Sequence, residues 1–110
     1  MIVNLYAVHD AKAGAYLPPF PLQTDGLAVR SFQEAVLNPQ TQISKYPLDY
    51  SLFRIATYDD ETSIIRSELP PELVINASQA LKLAEKQHQE QNLQDEILPI
   101  GEDNEISNES

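Results

Sequence analysis

The run Tyr50-Ser51-Leu52-Phe53-Arg54-Ile55-Ala56-Thr57-Tyr58 limits this chain's folding options more than any other feature. It is dense in aromatic and β-branched residues, which suit a pleated and half-buried strand. Asp59-Asp60-Glu61 then predicts a turn into a partner strand over Thr62 to Ser67, making a hairpin. A strand's N–H and C=O groups need neighbours, so the chain must supply a sheet around this segment. Ile2-Val3-Asn4-Leu5-Tyr6-Ala7-Val8, closed by His9-Asp10, reads as another strand, and Ala15 to Leu17 as a short return. Proline lacks the N–H a ladder needs, so Pro18-Pro19 and Pro21 make residues 18 to 23 extended loop. Pro70-Pro71 likewise breaks the hairpin, leaving Glu72 to Ile75 as a further short strand.

Two segments carry helical spacing. Thr24 or Asp25 can cap a helix whose Leu27, Ala28, Ser31, Phe32, Ala35 and Val36 share one face, ended by Asn38-Pro39. Gln40 to Leu48 reads as a polar loop. Asn76, with Gln79 three residues on, has the form of a capping box for a second helix through Ala77, Ala80, Leu81 and Ala84 toward Gln91. The expected fold is α+β: a small antiparallel or mixed sheet of three to four strands with one helix packed on one face, then a C-terminal helix and an acidic tail. The boundaries are a compact domain over 1–76, a helix over 77–92 and an acidic flexible tail over 93–110.

Charge is distributed unevenly. The chain's formal net charge is −10, but all seven basic residues and eleven of the seventeen acids lie in residues 1–92, a balance of −4. Asp95, Glu96, Glu102, Asp103, Glu105 and Glu109 make the tail −6. The absence of cysteine removes disulfides, thiolate metal sites and cysteine nucleophiles. No apolar run reaches the roughly 18 residues of a membrane span, and Met1-Ile2-Val3-Asn4 has no basic leader. No membrane contact is expected, and the cytoplasm is the default location.

His9 and His88 lie in different elements without a surrounding carboxylate pattern, and the three glycines form no phosphate-cradling loop. Asp59-Asp60-Glu61 reads as solvated turn residues. No enzyme activity, cofactor or metal is expected.

Strand alternation divides the side chains into two faces. Val3, Leu5, Phe53 and Ile55 form the purely apolar set, expected beneath the first helix. The opposite face would then display Tyr6, Tyr50, Arg54 and Tyr58, with Arg66 from the hairpin. Tyrosines interleaved with arginines on an open sheet suit single-stranded nucleic acid, because rings stack on bases while guanidinium groups meet phosphates. The competing reading makes that face a buried dimer interface or the seat of the second helix.

Four ordered segments carry a family resemblance: Leu5 to Ala13, Tyr16-Leu17-Pro18-Pro19-Phe20, Ala28-Val29-Arg30-Ser31-Phe32, and Ser44-Lys45-Tyr46-Pro47-Leu48-Asp49-Tyr50-Ser51-Leu52-Phe53. With the acidic turn Tyr58 to Thr62, they resemble the small nonstructural protein of gokushoviruses, single-stranded DNA phages of the Microviridae. The likeness runs from Met1 to about Thr62 and does not extend past Pro71. It implies DNA binding at the stage when single-stranded genomes are replicated and packaged, in the host bacterial cytoplasm, and brings no catalytic residues.

The expected function is therefore a phage accessory protein that binds single-stranded DNA, as a homo-oligomer, through Tyr6, Tyr50, Arg54, Tyr58 and Arg66, with Arg30 and Lys45 as rim contacts. The alternative is a protein-interaction factor that contacts a phage or host replication protein without touching DNA. Net negative charge opposes the first, because affinity for nucleic acid rests largely on neutralised phosphates. The tail alternates acids with Ile97, Leu98, Ile100 and Ile106, a pattern suited to docking a protein or covering a basic patch.

Overall fold

The computed structural model describes residues 1–97, with side-chain positions through Asn92. Its fold is α+β: a five-stranded, wholly antiparallel sheet with both long helices on one side. The strands are β1 (Ile2–Asp10), β2 (Ala15–Tyr16), β3 (Phe20–Leu22), β4 (Tyr50–Asp59) and β5 (Ile65–Asn76). β2 and β3 share one edge of β1, so the sheet is four strands wide, with β4 central and β5 at the far edge.

The helices are α1 (Asp25–Leu37), the short α2 (Gln42–Lys45) and α3 (Ala77–Ile97). α1 begins where Thr24 Oγ1 accepts the Leu27 N–H at 3.2 Å, and Asn38 closes it. The start of α3 is a capping box. Asn76 Oδ1 accepts the Ser78 N–H at 2.9 Å, while Gln79 Oε1 reaches back to the Asn76 N–H at 3.2 Å.

Several local expectations change. Pro21 sits within β3, opposite Leu5, where it needs no ladder partner on its outer side. Residues 40–48 are not one loop, since they contain α2 and the start of a 3₁₀ turn, Pro47–Asp49. Pro70-Pro71 do not end the hairpin. β5 pairs with β4 at both ends and skips the ladder only between, with the Leu69–Pro70 peptide cis. α3 continues to Ile97, past the expected boundary at 92, and residues 98–110, with most of the acidic tail, lie outside the described residues.

The core holds Tyr6, Val8 and Leu52 from the sheet, Ala28, Phe32 and Val36 from α1, and Ala77 and Ala80 from α3. This reverses the expected division of faces. The helices cover the Tyr6–Leu52–Arg54 side, and Val3, Leu5 and Phe53 lie on the other. The small residues Ala28, Ala77 and Ala80 bring helix backbones close, so a thin alanine stripe on α3 still makes a packed layer. No described helix is long and apolar enough to cross a membrane.

Candidate interaction face

Tyr6 and Arg54 are directly opposite on β1 and β4 and point together beneath the N-terminus of α1. Tyr6 has no exposed surface, and its hydroxyl donates to Asp25 Oδ1 at 2.6 Å while accepting from Asn4 Nδ2 at 3.0 Å. Arg54 Nη1 donates to both Asp25 oxygens, at 2.8 and 3.1 Å, and its Nε donates to Glu68 Oε2 at 2.6 Å. Burial, then the bond to Asp25, pushes the Tyr6 hydroxyl up to about 12. In return the Tyr6 hydroxyl, then Arg54, hold the Asp25 carboxyl below the usual carboxylate range. Asp25 is the first residue of α1, where a negative charge also meets the positive end of the helix dipole. The cluster is a polar clamp between helix and sheet. It leaves neither a free ring face nor an uncommitted guanidinium.

The remaining expected site residues do not join it. Tyr50 starts β4 opposite Asp10, half-buried against the core. Tyr58 lies at the other end of β4, between Val3 and Ile65 on the uncovered side. Arg66 is exposed on β5 opposite Thr57, Arg30 is exposed on α1 beside Gln33 and Leu83, and Lys45 is exposed at the end of α2.

The uncovered face is built differently. The register sets three rows across the sheet: Val3, Tyr58 and Ile65; then Leu5, Ala56 and Ser67; then Ala7, Phe53 and Leu73. The middle row is low on β4 and β5, where its residues are Ala and Ser, and an open trough of about 680 Å³ lies there between larger neighbours. At one end the turn after β1 tightens through Gly14, at φ 65°, and brings Tyr16 opposite His9. His9, Tyr16 and Phe53 then meet edge to face, with ring centres 4.7, 5.7 and 6.1 Å apart.

None of the strand residues directed to this face carries a carboxylate, an ammonium or a guanidinium. Glu68 borders the trough but turns its carboxylate to Arg54. Ile65, Leu69 and Leu73 remain 59, 86 and 54% exposed. Among the described residues no group of three or more His, Asp or Glu side chains could hold a metal ion.

Sequence reasoning missed this face because it placed Val3, Leu5, Phe53 and Ile55 under the helix. A bulge at Ile55 shifts the register between β1 and β4, so Ala56 and Tyr58 join Phe53's side and strict alternation fails beyond Arg54. The available signal was Asp25. Asp25 opens α1, Arg54 is the only cation in the strongest strand, and a helix laid over that strand's Arg54 side brings the two charges together.

A family model described as phage ORF5 protein matches residues 3–80, from the second residue of β1 to the buried Ala80 in the first turn of α3. No curated protein and no solved structure matches the chain.

Proposed function

The chain belongs to the phage ORF5 protein family, and from that premise we propose that it is a non-enzymatic phage accessory protein that works by binding protein through the open face of its sheet. The observation that carries this reading is the chemistry of that face: a broad apolar surface without a charge, on a chain of net charge −10. Apolar surface removed from water supplies affinity for another protein at about 25 cal/mol per Å² before the costs of association. It supplies nothing to a phosphate backbone. The setting is replication or packaging of the phage genome in the host bacterial cytoplasm, with a phage or host replication protein as the wider partner. The sequence resemblance supports a gokushovirus source.

Single-stranded DNA binding is kept as a second reading by one observation, the half-exposed rings of His9, Tyr16 and Phe53 on an open sheet. Base stacking on such rings is worth about 1–3 kcal/mol per base. Against it stand the burial of Tyr6, the pairing of Arg54 with two carboxylates, and the lack of any cation among the rings. Titration of a fluorescent single-stranded oligonucleotide at about 50 mM salt separates the two readings, because phosphate contacts are strong at low ionic strength. No saturable binding is expected. Binding abolished by Phe53→Ala and Tyr16→Ala, and weakened by added salt, would replace the protein-binding reading with the DNA one.

A further inference from the structure

We propose that the open sheet face is the seat of a second copy of this chain, so that the protein is a homodimer built as a two-sheet sandwich with its helices outside. The proposal rests on the protein-binding reading above and names the protein bound.

An antiparallel sheet with one wet face normally alternates apolar and polar residues. Here the face away from the helices presents Leu5, Phe53, Ile55, Tyr58, Ile65 and Leu73 instead. The charged side chains of β4 and β5 between Arg54 and Glu72 lie on the other side, where Arg54 meets Glu68. This partition favours a like partner over a foreign basic one. A face shaped for a basic protein would carry acids, and two chains of net charge −10 meet with least repulsion where neither has charge.

Size and relief agree with that occupant. Three long strands, β1, β4 and β5, spaced about 4.8 Å apart, with nine residues rising about 3.3 Å each, give a face of roughly 15 by 30 Å. Tyr16 and Leu17 extend it beyond β1 toward the roughly 800 Å² per partner of a standard interface. The low row of Ala56 and Ser67 lies beside the raised row of Phe53 and Leu73. A two-fold axis between the rows sets the ridge of each copy into the groove of the other, the self-complementarity an isologous contact requires. Sheets packed this way lie about 10 Å apart, and both helix layers remain free to meet a replication protein.

Sedimentation equilibrium on the full chain tests this. The wild type is expected at twice its 12.3 kDa mass at micromolar concentration. Leu73→Glu and Ile65→Glu change residues more than half exposed in one chain, so each should keep the wild-type circular dichroism while weakening association at least about 100-fold. Leu48→Glu, 78% exposed in the turn before β4, should leave the dimer intact. A monomeric wild type at about 100 µM, or a dimer indifferent to both face variants, overturns the proposal. If the wild type is monomeric yet retains a phage or host protein from infected cells that Leu73→Glu releases, the second copy is wrong and the protein-binding reading stands. If the wild type is monomeric and Leu73→Glu changes no capture, both fall.

Discussion

The two faces of the sheet are made from the same three long strands, yet they are finished in opposite ways. On the covered face, Leu52 and Tyr6 have no exposed surface, and the polar groups beneath α1 are partnered: Tyr6 with Asp25, and Arg54 with Asp25 and Glu68. On the open face, apolar side chains are left half-exposed and charge is excluded. The covered face carries its charge at the rim, where Arg54, Asp25 and Glu68 pair while their side chains stay 26, 46 and 27% exposed. A face that must part from water repeatedly, to meet a partner, does better without it. The covered face therefore holds the molecule together, and the open face is the surface on which the proposed contact rests.

The largest test of this contrast compares two leucines. Leu52→Ala removes a fully buried side chain between sheet and helices and is expected to cost about 2–5 kcal/mol in urea unfolding. Leu73→Ala, at adjacent register but 54% exposed on the other face, is expected to cost about 0.5 kcal/mol or less at protein concentrations too low for self-association. Equal losses at high dilution would mean that the open face is structural within one chain. Next in size is Asp25→Ala, which strips the Tyr6 hydroxyl of its acceptor and leaves Arg54 with Glu68 alone. A loss of about 1–3 kcal/mol is expected, because an unsatisfied buried hydroxyl pays its full desolvation. A change under about 0.5 kcal/mol would show that α1 is held by its apolar stripe without the clamp.

Much of this architecture was legible as separate elements, and the assembly of those elements was not. β1, the helix from Asp25 to Leu37 and the box at Asn76 and Gln79 follow from local chemistry that tertiary structure does not override. Which face the helices cover is a different kind of fact. Val3, Leu5 and Phe53 are as apolar as Val8, Leu52 and Tyr6, so hydrophobic pattern alone is nearly neutral between the two. The polar clamp separates them, since only one face puts Arg54 and the Tyr6 hydroxyl under Asp25. Tyrosine concealed this by looking like a surface aromatic, and the Ile55 bulge concealed it further by moving Tyr58 to the opposite side from Arg54. The expected site was a set of residues of the right types whose positions the bulge and the clamp then divided.

The smallest effect is confined to alkaline pH and bears on the clamp itself. The Tyr6 hydroxyl titrates at about 12 in the folded chain against 10 when unfolded, because burial and the Asp25 carboxylate disfavour the phenolate. The neutral form is the one the fold prefers, so the resulting stability is fully present below pH 10 and is lost as pH rises from 10 toward 12. In Tyr6→Phe no proton is held there. The stability difference between wild type and Tyr6→Phe should thus be constant from pH 7 to 9 and shrink steadily above 10, measured by urea unfolding at each pH. Asp25 acts at the opposite limb. Its lowered folded value makes its contribution present above the ordinary carboxylate range and lost as pH falls below it. If the difference between wild type and Tyr6→Phe instead stays constant through pH 12, the alkaline loss does not belong to the clamp, and the division between a fastened face and a free one fails at its most specific contact.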